Sequence, residues 1–202
     1  MPASKKKKNM SSLSRQQLES WLKTIDVKAD SVLDIGGSQL PINKRVRSWE
    51  VNQYKILDIA VPHELKQAPD IIADLEEPLN NEIKKDLFLF DVAFCIEVSE
   101  YWFNPLMALL NINKLLKPGG ILYISTHFVY PVHNPAGADF LRYTKAGIVK
   151  LLEKSNFAID KVIARREKSP GNYLAYCSDN RMRPNRETDH SEIGHLIKAI
   201  KI

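Results

Sequence analysis

Histidine and acidic side chains that could move a proton are concentrated in one part of the chain. Residues 97–133 contain two of the five histidines together with acidic and aromatic residues: Glu97, Glu100, Tyr101, Trp102, His127 and His133. An imidazole is the usual side chain for removing a proton from a hydroxyl at neutral pH. His127 is our first candidate for such a base and His133 the second. The alternative is that both are ordinary loop histidines.

A second candidate site is a turn in the segment SVLDIGGSQL, residues 31–40, where an apolar run and an acid precede two glycines. The turn lacks the GxxxxGK pattern that a phosphate-binding loop needs. It also lacks the spacing and the third glycine of a GxGxxG dinucleotide site, which argues against NAD. The remaining interpretation is a ligand with an amino group and a carboxylate. Asp34 would accept from the ammonium, and the turn amides would bind the carboxylate.

These residues have to be positioned by strands that alternate with helical segments. Short apolar runs rich in Val and Ile predict buried parallel strands, and they recur at residues 31–35, 55–59, 70–73, 91–96, 121–125 and 157–165. Repeated alternation of strand and helix predicts right-handed βαβ units and a doubly wound α/β sheet. Ligands bind such a sheet beyond the carboxyl ends of its strands, which is where the glycine turn lies.

Apolar spacing and end signals predict the helices. A face at i, i+3, i+4 and i+7 predicts one helix over residues 14–25. The Asn104-Pro105 pair is typical of a helix start, and LKPGG at residues 116–120 predicts a helix end followed by a turn. A further helix is predicted over 144–154 and an antiparallel last strand over 194–202. Residues 168–190 are interpreted as an insertion, with a short helix at 172–181, that forms a lid or a plain loop.

Five segments, in this order, resemble the motifs of class I S-adenosylmethionine-dependent methyltransferases, with a type 11-like pattern. They are LDIGGS, YKILDIA, DIIADLEEPL, FDVAFCIEVSEYW and LLKPGGILYIST. The resemblance covers residues 31–202 and departs from the family at Ser38, which stands where the second glycine normally is. It implies a Rossmann-like, seven-stranded, mostly parallel sheet with an antiparallel last strand and helices on both faces. It also implies S-adenosylmethionine as the cofactor.

The resemblance implies a role for each residue of the cofactor site. Asp58 would bind the two ribose hydroxyls, which requires two acceptor oxygens at one point, and Asp74 would lie near the adenine amino group. The implied cofactor residues are Asp34, Gly36, Gly37, Ser38, Asp58, Ile59, Asp74, Leu75, Cys95, Ile96 and Glu97. The alternative for Asp58 and Asp74 is that they are surface acids at strand ends.

The acceptor side is implied by the segment THFVYPVHNPAGADFLRYT, which resembles a subgroup often associated with bacterial surface glycans and other secondary pathways. Five residues match the pattern of that subgroup: His133, Asp139, Phe140, Arg142 and Tyr143. The resemblance implies methyl transfer to an O or N of a small, sugar-derived or anionic acceptor. The predicted acceptor-binding residues are Glu100, Tyr101, Trp102, Arg142 and Tyr143. Arg142 would bind an acidic group or pair with Asp139 to fix the loop.

Charge limits the class of partner. The formal net charge is +5, and the run Lys5–Lys8 supplies most of it, which leaves a nearly neutral body. Such a run is typical of a solvated tail, here residues 1–12, before a single domain over 13–202. Two alternatives remain open. A nucleic-acid methyltransferase would use this run with Arg181, Arg183 and Arg186, and a non-catalytic binding protein would keep the fold without the activity.

Cysteines and hydropathy indicate the compartment. Cys95 and Cys177 lie far apart without a CxxC pair, so neither a zinc site nor a disulfide framework is expected. No apolar run approaches the roughly 18 residues of a membrane span, and no signal peptide is recognised. We therefore expect a cytoplasmic enzyme without a metal that acts on a small molecule and not on nucleic acid or a membrane.

Overall fold

The computed structural model describes residues 11–62, 64–85, 87–133, 136–167 and 192–202. Within these ranges, seven strands form one sheet: β1 (Asp26–Ile35), β2 (Ser48–Asp58), β3 (Ile71–Ile72), β4 (Phe90–Cys95), β5 (Leu116–His127), β6 (Phe157–Arg166) and β7 (Glu192–Lys201). Their order is β3-β2-β1-β4-β5-β7-β6. All neighbours are parallel except β7, which runs antiparallel to β5 and β6. The predicted seven-stranded, mostly parallel sheet with an antiparallel last strand is confirmed.

Helices cover both faces of this sheet. Four α-helices lie in the described ranges: α1 (Leu13–Leu22), α2 (Asn81–Lys84), α3 (Pro105–Leu115) and α4 (Lys145–Lys154). Successive side chains of a strand point to opposite faces. Val92 and Phe94 of β4 therefore lie in one core with α1, whereas Ala93 and Cys95 lie in a second core with α3 and α4. The sheet is the middle layer of three.

Polar caps set the helix starts. Ser12, Asn104 and Thr144 each accept a hydrogen bond from the backbone N–H three residues on, at 3.2, 3.3 and 3.1 Å. Each cap satisfies an amide that has no partner inside its helix. The starts of α3 and α4 agree with the sequence prediction. α1 ends at Leu22, earlier than predicted, and Ile25 is still buried in the core beside it.

Helix α3 ends at Leu115, and the predicted turn in the following segment LKPGG, residues 116–120, lies within β5 and does not precede it. Phe90 pairs with Leu116, and the register then shifts before Val92 pairs with Ile121. Gly119 has a φ of +74°, a conformation that glycine adopts without steric cost. The chain therefore bulges within the strand and does not leave it.

The first two strands are also longer than predicted. β1 pairs with β2 from Asp26 and Ser48 onward, but β3 pairs only with Leu57 and Asp58 at the end of β2. The amino-terminal part of β2 is half-exposed and polar, so it lacks the apolar run by which a buried strand is recognised.

The insertion at 168–190 with its predicted helix, Cys177, and the lysine run lie outside the described residues. The division into a tail and one domain stays a prediction. No helix in the described ranges is long and apolar enough to cross a membrane.

Candidate active site

The carboxyl ends of the parallel strands open into a cavity of about 780 Å³. Ligands of doubly wound sheets bind at this edge. The segments that follow β1 to β5 supply most of the wall: Ile35, Gly36, Gln39, Leu57, Asp58, Ile59, Ala73, Asp74, Leu75, Glu76, Glu97, Val98, Tyr101, Trp102, Tyr130 and His133. The start of α1 adds Ser11, Ser12 and Arg15. The structure thus brings both candidate sites of the sequence to one cavity.

The glycine turn is shaped by close contacts. Gly36 has a φ of +71°, and its N–H donates to the carbonyl of Leu57 at 2.8 Å. A Cβ on Gly36 would overlap Cγ2 of Val98, and one on Gly37 would overlap the carboxylate of Asp34. Both positions therefore require glycine, one for backbone conformation and space and the other for space alone.

Asp34 lies beneath the turn, is only 3% exposed and does not line the cavity. Its Oδ2 accepts from the N–H of Ile42 at 2.8 Å and from the hydroxyl of Tyr54 at 2.6 Å. Burial raises the pKa of this carboxyl to about 6, against the lowering effect of the two hydrogen bonds. These contacts tie the turn to β2 and to the segment at Ile42. The predicted contact of Asp34 with an ammonium stays a prediction.

Asp58 faces the cavity at the end of β2. Its carboxylate accepts from the N–H of Ser38 at 3.3 Å and from that of Ile59 at 2.9 Å, which holds both oxygens in a fixed orientation. Asp74 is exposed at the same wall, and its Oδ1 accepts from the N–H of Glu76 at 2.9 Å. The predicted acids after β2 and β3 therefore lie on one side of one cavity.

The predicted cofactor residues fall into two groups. Six of them line the cavity: Gly36, Asp58, Ile59, Asp74, Leu75 and Glu97. Of the other five, Asp34 and Gly37 support the turn, and Ser38 is buried, with its carbonyl accepting from the N–H groups of residues 66 and 67. Cys95 and Ile96 are buried in the two cores. These five lie behind the wall.

Glu97, which lies just after the end of β4, lines the cavity and has a strained conformation, with a φ of +59°. Its Oε1 lies 2.9 Å from Nη1 of Arg165, a guanidinium that is fully buried on β6. Nη2 of Arg165 donates to the carbonyl of Thr126 at 2.6 Å. Burial alone would raise the pKa of Glu97, but His127 and Arg165 outweigh it and hold that pKa well below its ordinary range.

Glu100 is fully buried and lies between the two candidate histidines. Its Oε1 is 3.3 Å from Nε2 of His127 and 3.1 Å from Nδ1 of His133. Burial would lower the pKa of His127, but the carboxylates of Glu100 and Glu97 outweigh it and raise that pKa. His127 is fully buried, with Nδ1 3.2 Å from Nη2 of Arg165, whereas His133 lines the cavity. His133, our second candidate for the base, is thus the histidine that reaches the cavity.

The ion pair between Arg142 and Asp139 fixes the loop that carries His133. The guanidinium of Arg142 forms two bonds to the carboxylate of Asp139, at 2.5 and 2.6 Å, and donates to the carbonyls of Tyr130 and Pro131. Oδ2 of Asp139 in turn accepts from the N–H of His133 at 2.6 Å. Of the two roles predicted for Arg142, the structure contains the pairing with Asp139.

The other predicted acceptor residues also fall into two groups, those that line the cavity and one that lies behind its wall. Tyr101 and Trp102 line the cavity, but Tyr143 is buried and donates its hydroxyl hydrogen to the carbonyl of Ser99 at 2.7 Å. Sequence reasoning missed Arg165, because its distant β6 position gives no local signal. It also missed Tyr130, whose ring stacks on that of His127 with centroids 4.1 Å apart.

Comparison with known proteins agrees with this geometry. The sequence profile of the methyltransferase domain family matches residues 6–162. No curated protein sequence matches the chain.

Solved structures share the fold at low identity. N-methyltransferase NodS from Bradyrhizobium japonicum is 13% identical with a TM-score of 0.58, over 93% of this chain and 96% of that one. The 1,6-didemethyltoxoflavin-N1-methyltransferase of Burkholderia thailandensis, with S-adenosylhomocysteine bound, is 14% identical with a TM-score of 0.57. The match covers 93% of this chain and 78% of that one. An S-adenosylmethionine-dependent methyltransferase of Mesorhizobium loti is 16% identical with a TM-score of 0.56, and the match covers 94% of this chain and 98% of that one.

The chain belongs to the methyltransferase domain family, whose profile covers more than half of its length. It is an S-adenosylmethionine-dependent methyltransferase of class I, as the sequence motifs implied.

Replacing Gly36 tests the close approach at the turn. Alanine at a positive φ costs about 1–2 kcal/mol, and at Gly36 it also meets Val98. We expect Gly36→Ala to lose more stability, and more affinity for S-adenosylhomocysteine, than Gly119→Ala does. Gly119 also has a positive φ, but the space around it is open. The double variant Gly36→Ala, Val98→Ala should recover part of the loss. Calorimetric titration and thermal unfolding measure both, and equal losses in the two single variants would contradict the packing argument.

Replacing Asp34 tests its raised pKa, which is about 6 in the folded chain against an ordinary value of 3.8. The folded state holds this proton more tightly, so its contribution to stability is complete below the ordinary pKa and is lost as the pH rises through about 6. Asp34→Asn keeps an acceptor oxygen without the charge. We expect it to gain about 1.4 kcal/mol of stability over the original chain between pH 5 and pH 8, because about half of the full effect of the shift, about 3 kcal/mol, is already present at pH 5. Urea unfolding at the two pH values measures this gain, and a pH-independent difference would refute it.

Proposed function

We propose that the enzyme transfers the methyl group of S-adenosylmethionine to an O or N atom of a small acceptor held against His133. The observation that carries the proposal is the position of His133, at the cavity wall and backed by the buried carboxylate of Glu100 at 3.1 Å. The glycine turn and Asp58 would form the cofactor end of the same cavity. A cytoplasmic location remains a prediction.

The cavity residues fit the cofactor in charge and shape. S-adenosylmethionine supplies an electrophilic methyl group on a positively charged sulfur. Asp58, already oriented by two backbone amides, would accept from the ribose hydroxyls. Asp74 and Leu75 would bind at the adenine, and the turn at Gly36 would accommodate the amino-acid part. Glu97 would face the cofactor from the end of β4. These assignments follow the motifs and the lining of the cavity.

His133 would act on the acceptor. Its Nδ1 faces Glu100, which leaves Nε2 to accept the proton that the acceptor oxygen or nitrogen loses as its bond to the methyl carbon forms. His127 lies behind Glu100 and would assist by orienting that carboxylate. Tyr101, Trp102 and Tyr130 would exclude water from the reacting atoms. Positioning of donor and acceptor supplies much of the acceleration in such a displacement.

The wall around His133 favours a neutral acceptor or an amine over an anionic one. Of the five acids that line the whole cavity, Asp58, Glu64, Asp74, Glu76 and Glu97, three are assigned above to the cofactor. The lining residues proposed for the acceptor are Tyr101, Trp102, Tyr130 and His133, and none of these four carries a permanent positive charge. Arg142 is bound to Asp139 and to backbone carbonyls. A sugar-derived acceptor fits this wall as a neutral molecule. Two of the similar structures are N-methyltransferases by name, and one is described with a small acceptor bound, which supports a small molecule as the acceptor class.

Replacing Asp58 tests the cofactor site. Hydrogen bonds to a charged group contribute about 1.5–3 kcal/mol each, so Asp58→Ala should weaken binding of S-adenosylmethionine and S-adenosylhomocysteine by at least roughly tenfold. Isothermal titration calorimetry measures both, with NAD as a negative control. Glu50→Gln is the matched control, because Glu50 is exposed at the opposite end of β2. Unchanged affinity in Asp58→Ala would place the ribose elsewhere.

Replacing His133 tests the acceptor site once a panel of amines, alcohols and sugars has yielded a substrate. General-base catalysis contributes roughly 10²–10⁴ in rate, so His133→Ala should lower kcat by that order while S-adenosylhomocysteine binds as before. Val132→Ala is the control, since this neighbour is 65% exposed. Full activity in His133→Ala would remove it as the base.

A further inference from the structure

We propose that Glu100, His127 and His133, with Glu97 as a fourth ligand, form a binding site for a divalent transition-metal ion of the zinc type. Neither the motifs nor the family comparison assigns a metal to this chain. Imidazole and carboxylate are the donor groups that such ions take in proteins. The proposal concerns binding of the metal, and it does not depend on the proposed acceptor.

Three separations among the four side chains suit a small tetrahedral ion. Oε1 of Glu100 is 3.1 and 3.3 Å from the two imidazole nitrogens, and Oε2 of Glu97 is 3.2 Å from Nε2 of His127. Ligand atoms about 2.0–2.1 Å from a tetrahedral zinc ion are separated by about 3.3 Å. The widest separation among the ligand atoms of Glu100, His127 and His133 reaches 4.8 Å, so binding of the ion would have to draw the two imidazoles closer together.

These atoms are close together without hydrogen bonds between them. Both carboxylate oxygens of Glu100, Nε2 of His127 and Nδ1 of His133 are buried, and each lacks an aligned hydrogen-bond partner among the described residues. A buried carboxylate without donors is costly. The two imidazole nitrogens lie close to the Glu100 carboxylate, yet neither directs an N–H at its oxygens. This is the arrangement expected of ligands around a common cation.

Arg165 and the Arg142–Asp139 pair are the groups that surround the proposed ligands. Arg165 occupies Oε1 of Glu97, so Glu97 offers only Oε2 to a metal. It also faces Nδ1 of His127 at 3.2 Å, which opposes the tautomer that metal binding at Nε2 needs. Binding of the metal at Nε2 of His127 would therefore require the imidazole hydrogen on Nδ1 and a shift of the Arg165 guanidinium, whereas Glu100 and His133 need no such change. The bond from the N–H of His133 to Asp139 fixes the backbone of the loop that carries this ligand, as outer partners do in metal sites.

A metal here would lie beside the acceptor, because Glu97 and His133 also line the cavity. With Nδ1 of His133 on the metal, Nε2 would carry the imidazole hydrogen, and this side chain would no longer accept a proton. The metal would then supply Lewis-acid polarisation to an acceptor oxygen or nitrogen bound to it, and the acceptor proton would pass to water. The metal-loaded and metal-free enzymes would thus activate the acceptor in different ways.

The test is metal binding by the full chain, purified without a histidine tag and stripped with a chelator. Calorimetric titration with Zn²⁺, and with Co²⁺ followed by its visible absorption, should give one ion per chain. Glu100→Gln and His133→Asn should each abolish this binding. Glu76→Gln, which removes a cavity acid outside the cluster, should keep it.

S-adenosylhomocysteine titration of the same samples separates this proposal from the proposed function, since it reports folding and the cofactor site without the metal. Absence of metal binding by a chain that binds S-adenosylhomocysteine would overturn the metal site alone. Metal binding that survives both Glu100→Gln and His133→Asn would also overturn it. If Glu100→Gln fails to fold, the partly exposed His133 supplies the deciding variant.

Discussion

The ion pair between the buried guanidinium of Arg165 and Glu97 is the interaction that holds the polar cluster of Glu97, Glu100, His127 and His133 in place. A charge removed from water has to be paired and hydrogen-bonded, or it costs several kcal/mol. Glu97 at the end of β4 and Thr126 at the end of β5 supply those partners to a side chain that starts on β6. Gly194 on β7 leaves the space, because a Cβ there would lie 2.9 Å from Nε and Nη2 of Arg165. One cation thus joins the ends of four strands.

The two ends of the cavity are built differently. The end at the glycine turn uses short segments, each at or directly after the end of its strand, with Gly36 and Asp58 at the wall. The end at His133 brings together side chains from the ends of β4, β5 and β6 and from the loop after β5, with Glu100 and His127 fully buried. Fold alone does not specify an acceptor, so the residues at the second end are the ones to test for it.

Local patterns explain what the sequence could predict. The alternation of strands and helices and the glycine turn followed from residues adjacent in sequence, and the role of Asp58 followed from the family resemblance. Asp34 was recognised as important, but its bonds to Ile42 and Tyr54 depend on how β2 and the segment before it return to the turn. The concentration of Glu97, Glu100, His127 and His133 was recognised as a candidate proton-transfer site, but their convergence on one point depends on the fold. The added residues Lys117-Pro118-Gly119-Gly120 fit a turn, and the sequence does not show that they lie within β5.

Glu97 shows how one contact can retain a strained backbone. A side chain at positive φ costs about 1–2 kcal/mol, and glycine would remove that strain. Glycine would also leave the buried guanidinium of Arg165 without the carboxylate that pairs with it, which costs about 3–5 kcal/mol. The ion pair therefore outweighs the strain. Relieving the backbone at Glu97 would stabilise this chain only if the cation on β6 were replaced at the same time.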